Sequence, residues 1–167
     1  MKRLVISRGN VFAKLLIIGE APGAQEDLEG EPYVGKSGKL LDDLLIEAGI
    51  DLQKDVYFCN VIKCRPPNNR KPTNKEINIH KPWLMQQIKL VDPKFIILTG
   101  STAMRTILEI KNPISKTRGK WFKKGGREII TIFHPSYLLR FSSKEVEKPY
   151  DLTLKDLKNV SSKLYAL

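Results

Sequence analysis

Four short apolar runs, each broken off at a turn, constrain this chain more than any other feature. They are Leu15 to Ile18, Val56 to Ile62, Lys94 to Leu98 and Ile129 to Phe133. Runs this short and this rich in β-branched side chains read as strands buried on both faces. Segments of helical periodicity lie between them. Strands alternating with helices predict a three-layer α/β domain, with no internal repeat, low-complexity tract or linker, so one domain over residues 1–167.

The first strand stops at Gly19 and opens into a loop rich in Gly, Pro and acid, GEAPGAQEDLEGEPYVGKSG. Such a loop cannot be core, because its backbone groups and carboxylates need partners or water. In open α/β sheets the crevice at the carboxyl ends of the strands is where ligands sit. Glu20, Glu26, Asp27 and Tyr33 in this loop are therefore the first candidates for chemistry.

Punctuation residues place the remaining elements. Residues 1 to 13 read as a lead-in with one edge strand. Ser37 is positioned to cap a helix reaching about Ala48, with Leu40, Leu41, Leu44 and Leu45 inward and Gly49 in a left-handed stop. Thr73 and Glu76 form a capping box, and Ile77, Leu84, Ile88 and Val91 share one face of the helix that follows. Pro82 inside that helix predicts a kink or an end to its first two turns. Gly100-Ser101 turns into a short helix ending near Glu109. Lys111 to Arg127 carries seven basic residues and no acid, around Trp121, Phe122 and Gly125-Gly126, and reads as a basic hairpin. The last segment reads as a closing helix.

Twenty-nine basic against 18 acidic residues give a net charge of +11. That excess points to a polyanionic partner, most often nucleic acid, with a solvated basic face as the plainer alternative. No apolar run approaches the roughly 20 residues of a membrane helix, and the opening MKRLVISRGN does not read as a signal peptide. Two cysteines, Cys59 and Cys64, fit a reduced, cytoplasmic protein, associated with the nucleoid if the source is prokaryotic.

Gly30 to Ser37 satisfies the P-loop pattern, yet the physics opposes that function. A P-loop leaves directly from a strand and offers consecutive N–H groups to phosphates. Here an acidic loop precedes the motif, Pro32 removes a donor and Glu31 adds a negative charge. Lys36, Ser37 and the helix start remain available to a nucleic-acid phosphate.

Four motifs in order, GEAPGAQED, GEPYVGKSGKLL, NVIKCRPPNNRKPT and HPSYLLR, resemble those of the family 4 uracil-DNA glycosylases from about Val11 to Arg140. The resemblance implies a three-layer α/β/α uracil-DNA glycosylase fold with a four-stranded, mostly parallel central sheet. It implies hydrolysis of the N-glycosidic bond of uracil in DNA after base flipping, the first step of base-excision repair. It assigns Tyr33 to stacking on the flipped base, where the family usually has Phe, and Asn60 to reading N3–H and O4. His134 would bond the leaving base oxygen. Ala21 stands where better-known glycosylase families hold an Asp that orients water, so Glu20 and Glu26 become candidates for stabilising the cation or positioning water. Pro22, Gly23, Gly100, Ser101 and Ser136 would approach phosphates, Tyr137 or Leu138 would wedge into the duplex, and Arg140 would bind backbone. Loop anchoring for Tyr33, a self-satisfied turn for Asn60 and solvated carboxylates for Glu20 and Glu26 are the plainer readings of the same residues.

The chain departs from that family at the cysteines. Family members hold an iron–sulfur cluster with four thiolates, two of them in an N-terminal CxxC. This sequence has no CxxC, keeps Cys64 and places His80 at the fourth position. Cys59 lies on a strand. Cluster binding needs four ligands, so no cluster and no metal are expected, and His80 reads as a packed histidine at the core edge. The expected partner is uracil-containing DNA, single- or double-stranded, acted on by a monomer with no membrane attachment. The main alternative is a glycosylase-like module that binds DNA or docks on a repair partner without cleaving. Two further readings, an NTPase and a covalent DNA-trapping relative, are set aside. The second carries an inserted basic loop that NNRKPT lacks.

Overall fold

A computed structural model describes residues 3–166; Met1, Lys2 and Leu167, the ends of the expected lead-in and closing helix, lie outside the described residues. Four strands form the centre: β2 (Leu15–Gly19), β3 (Val56–Asn60), β4 (Phe95–Thr99) and β6 (Arg127–Ile132). They pair parallel in the spatial order β3-β2-β4-β6. Every residue of β2, β3 and β4 is buried, as expected of parallel strands covered on both faces.

The sheet has six strands rather than four. β1 (Arg8–Gly9) pairs antiparallel with β3, and β5 (Trp121–Lys124) pairs antiparallel with β6. β1 is too short to register as an apolar run. β5 forms because the Gly125-Gly126 turn, both residues at positive φ, folds its chain back on β6. The expected Lys111–Arg127 hairpin is thus only partly a hairpin, since α6 (Ile114–Thr117) occupies its first half.

Alternate strand residues point to opposite layers. Leu15, Ile17, Val56, Phe58, Ile97 and Ile130 meet Leu41, Leu44 and Leu45 of α2 (Lys36–Glu47) and Leu157, Val160 and Leu164 of α8 (Pro149–Leu164). Leu16, Ile18, Tyr57, Cys59, Ile96 and Leu98 meet Leu84 of α4 (Asn74–Val91) and Ala103 and Ile107 of α5 (Ser101–Leu108). The short helices α1 (Ala24–Glu29), α3 (Leu52–Asp55) and α7 (Pro135–Arg140) complete the order. None of the described helices is long and apolar enough to cross a membrane.

Three local expectations change. The cap of α2 is Gly35, two residues ahead of Ser37. α4 is not ended at Pro82, which lies on its solvent face, where water can satisfy the carbonyl that loses its partner. β3 ends at Asn60, short of Ile62, because the chain there bends into the loop whose amides Val61 and Ile62 bond the carbonyls of Gly19 and Glu20. Thr73 and Glu76 do form the capping box, and Gly49 does adopt φ +88° after α2.

Gly38, in the first turn of α2, lies directly under the loop: a Cβ there would sit 2.1 Å from the Tyr33 carbonyl oxygen. Alanine in a helix is otherwise favoured over glycine by about 1 kcal/mol. Gly38→Ala is nevertheless expected to destabilise by about 1–3 kcal/mol, read as a lower midpoint in urea unfolding. A raised midpoint would show that the contact is not a constraint.

Candidate active site

The loop after β2 is held by one carboxylate. Glu26 Oε1 accepts from the Gly23 N–H at 3.0 Å, and Oε2 accepts from Val34 N–H at 3.0 Å and Gly35 N–H at 2.5 Å. The last two are amides of the P-loop-like stretch, so the place a phosphate would take is filled by the protein's own anion. Arg8 closes the loop from outside, donating to the carbonyls of Pro32 and Tyr33 and to Asp42.

This bracing puts Tyr33 in a left-handed conformation, φ +60°, with its ring buried beside Phe58 at 5.4 Å between centroids. Its hydroxyl hydrogen-bonds Thr99 Oγ1 at 2.8 Å. Burial raises the phenol well above its usual value, so it stays protonated. The tight fit explains Gly19: a Cβ there would meet the Tyr33 hydroxyl at 2.0 Å and Asn60 Oδ1 at 2.6 Å.

Asn60 ends β3, 4% exposed, and its side-chain amide makes no hydrogen bond among the described residues. Its amide atoms are not fully enclosed, because Asn60 lines a pocket, and this leaves them open to a ligand. Its backbone carbonyl accepts from Lys63 Nζ at 2.6 Å. Lys63, 1% exposed, also donates to Gln87 Oε1, and burial lowers its pKa. Gln87 Nε2 in turn donates to the Ile6 carbonyl at 2.9 Å and to the Tyr57 hydroxyl at 3.2 Å.

His134 follows β6 and caps α7. Its Nδ1 accepts from the Ser136 N–H at 3.1 Å and lies 2.7 Å from Ser136 Oγ. A lone pair committed at Nδ1 leaves the proton on Nε2. Burial lowers the His134 pKa, against a raising influence from Glu20. Gly100, at φ +87°, lets the imidazole approach: a Cβ there would stand 3.1 Å from the His134 Cβ. Glu20 itself accepts from Thr102 Oγ1 at 2.5 Å.

Ala21, Glu26, Tyr33, Ser37, Asn60 and His134 line one pocket of about 40 Å³ at the carboxyl ends of the strands. That is close to one water molecule's share of space, so a base enters only if the loop yields. Six of the candidates therefore converge. Of the others, Pro22 is buried, Gly23 caps α1, Lys36 opens α2 as an exposed side chain, and Ser101 opens α5.

α7 requires a correction. Leu138 is 1% exposed and packed in the core, so it is not a wedge. Tyr137, Leu139 and Phe141 are the exposed apolar side chains there, and Arg140 is exposed too. The basic segment is also partly spent. Arg118 is bidentate to Asp156 at 2.8 and 2.6 Å, Arg127 pairs with Asp92 at 2.7 Å, and Lys124 faces Glu109 at 3.6 Å.

Cys64 and His80 do not fit an iron–sulfur cluster. His80 Nδ1 already accepts the Lys63 N–H at 3.0 Å, and its ring meets Trp83 edge-on. Burial pushes the Cys59 thiol up to about 11. Among the described residues, no group of three or more His, Cys, Asp or Glu is placed to hold a metal ion. Lys63, Gln87 and Thr102 were missed from sequence. Lys63 left one signal, a lysine directly continuing an apolar strand.

The pocket at the strand ends thus brings together the Asn60 amide, the buried Tyr33 ring and the His134 imidazole. The family model for the uracil DNA glycosylase superfamily matches residues 6–158, and the chain belongs to that superfamily. Within it the chain is similar to the type-4 uracil-DNA glycosylase of Thermotoga maritima, 42% identical over 163 residues, covering 95% of this chain and 82% of the relative. The type-4 uracil-DNA glycosylase of Archaeoglobus fulgidus is 40% identical over 141 residues, covering 78% and 69%. A DNA polymerase of Bacillus phage SP01 is 33% identical over 157 residues, which span 94% of this chain and 16% of the polymerase.

Glu26→Gln replaces with an amide donor one of the two oxygens that between them accept three N–H groups. An unsatisfied buried donor costs about 1–3 kcal/mol. The expected result is a loss of that size in urea unfolding, with faster proteolysis of residues 20–35. Unchanged stability would mean the loop holds without this carboxylate.

Proposed function

We infer that the chain is a uracil-DNA glycosylase, which flips uracil out of DNA and hydrolyses the bond between N1 of the base and C1′ of the deoxyribose. The observation that carries this reading is the convergence of Tyr33, Asn60 and His134 on one pocket. Relatives named type-4 uracil-DNA glycosylase, matching over most of the chain, support it.

Flipping costs a few kcal/mol, and the excess of cations helps offset it. The Asn60 amide accepts from N3–H and donates to O4. Cytosine presents the opposite pattern at both atoms and would leave two buried groups unpaired, a strong basis for rejection. Tyr33 lies against the base. As the C1′–N1 bond breaks, its electron pair stays on uracil, spread over N1 and O2, and the sugar becomes an oxocarbenium ion. His134 donates its Nε2–H to O2. A fixed donor aimed at developing charge is commonly the largest contribution available to a site. Water adds to C1′, and the proton it loses neutralises the uracil anion, giving uracil and an abasic site.

The two acids divide. Glu20, tethered by Thr102 and close enough to influence His134, supplies negative charge beside the cation. Glu26 has both oxygens on backbone amides and serves the loop. Ser136 sets the His134 tautomer. Gly23, Lys36, Ser37 and Ser101 face phosphates, while the buried Pro22 shapes the loop beneath them. Tyr137 with Leu139 fills the gap left by the flipped base, and Arg140 holds backbone. The whole chain acts as one domain, as a monomer in the cytoplasm, and uses no iron–sulfur cluster. The phage polymerase match favours a second reading, a domain that works beside a polymerase. That reading concerns delivery to DNA and is compatible with catalysis.

The test is cleavage of a labelled oligonucleotide carrying one uracil, single-stranded and paired with G or A, using protein assayed for iron. Activity with far less than one iron per chain is expected; near-stoichiometric cluster would refute the cofactor reading. His134→Ala is expected to lower kcat by about 10²–10³-fold with DNA affinity nearly unchanged. Full activity in that variant would sink the mechanism.

The pH profile follows from the lowered His134 pKa. A pKa below the ordinary 6.5 makes the neutral imidazole the major form at pH 6.5 and increasingly so above it. The rate is therefore expected to stay flat from about pH 8 down to 6.5. A rate that climbs as pH falls through 6.5 would make the imidazolium the donor instead.

A further inference from the structure

A second and much larger cavity, about 720 Å³, lies between α4 and α5. One face of α4 (Asn74, Ile77, Asn78, Lys81) and one face of α5 (Thr102, Arg105, Thr106) with its C-cap Glu109 form its walls, with Lys71 and Lys111 beside them. The volume falls in the range of small-molecule sites, about 300–1,000 Å³.

Its charge is lopsided. Lys71, Lys81, Arg105 and Lys111 face one carboxylate, Glu109, and that carboxylate already has Lys81 at 3.8 Å and Lys124 at 3.6 Å. Lys71, Arg105 and Lys111 are exposed and form no ion pair among the described residues. Apolar Ile77 and Ile110 and the amides of Asn74 and Asn78 lie between the cations. Cations around apolar surface and amides match a polynucleotide strand, which offers phosphates, base faces and base edges together.

The groove also adjoins the active site. Thr102, in its wall, bonds the Glu20 carboxylate, and Ala21, the next residue, lines the catalytic pocket. A strand that enters the pocket has this groove beside it. Its unpaired bases would meet the apolar and amide surface between the cations, a contact that paired bases inside a duplex do not offer.

We propose that the α4–α5 groove seats the single DNA strand running on from the flipped nucleotide. The assignment of DNA as that strand rests on the glycosylase reading. It predicts a preference for single-stranded or locally melted substrate, with the phosphates held by Lys71, Arg105 and Lys111.

The test is fluorescence anisotropy with a 15-nucleotide strand that contains no uracil, so that binding is scored whether or not excision occurs. The same strand paired with its complement is measured alongside, and uracil excision is assayed separately. Lys71→Ala/Arg105→Ala is compared with Lys158→Ala, an exposed cation on α8; melting curves confirm that each variant is folded. Each lost phosphate contact lowers the slope of log affinity against log salt by about 0.7 on a single strand. The double variant is expected to lose about 1.4 from that slope for the single strand and far less for the duplex, with Lys158→Ala unchanged. A slope equal to that of Lys158→Ala would overturn the proposal. So would an equal loss for strand and duplex, or competition by a free nucleotide as effective as that by the strand.

Discussion

The site depends on one carboxylate that behaves as an internal phosphate. Glu26 gathers the N–H groups of Gly23, Val34 and Gly35, and so bends a long acidic loop back over the end of β2. Without that anion, three backbone donors would point into a partly buried space with no acceptor. With it, Tyr33 is driven into a left-handed backbone conformation and its ring is placed in the floor of the pocket. The same bonds explain why a sequence that spells a P-loop does not make one: its amides are already occupied.

Glycines then decide how closely the parts approach. Gly19 admits the Tyr33 hydroxyl and the Asn60 amide against β2, Gly38 admits the loop backbone against α2, and Gly100 admits the His134 ring. Chemistry at this site needs groups converging from four segments of the chain, and side chains at these positions would hold them apart. The imidazole is set by a local device instead. The N–H of Ser136 fixes the lone pair at Nδ1, and the opposite nitrogen is left as a donor facing the pocket.

Away from the pocket, the lead-in, the loop after β3 and helix α4 are joined by polar contacts. The Val5 N–H donates to the Lys63 carbonyl, the Lys63 N–H to His80, and Gln87 reaches Ile6, Lys63 and Tyr57. A buried ammonium with two acceptors and an imidazole with one donor join these segments, and the ammonium also grips the carbonyl of Asn60.

The sequence by itself determined the layered α/β architecture, because strands buried on both faces must be short and apolar throughout, and because capping residues mark helix starts locally. It also singled out Tyr33, Asn60 and His134, which stand in recognisable motifs and which the fold brings to one pocket. Tertiary structure alone decided the antiparallel edges β1 and β5, the burial of Leu138 beside the exposed Leu139, and the different hydrogen-bond partners of Glu20 and Glu26. It also decided which of the seven cations between Lys111 and Arg127 remain free. Each of these turns on a partner far away in the chain: Tyr57 for Gly9, Asp156 for Arg118, Thr102 for Glu20. Local pattern records what a residue can do, and only the packed fold records which distant group it meets.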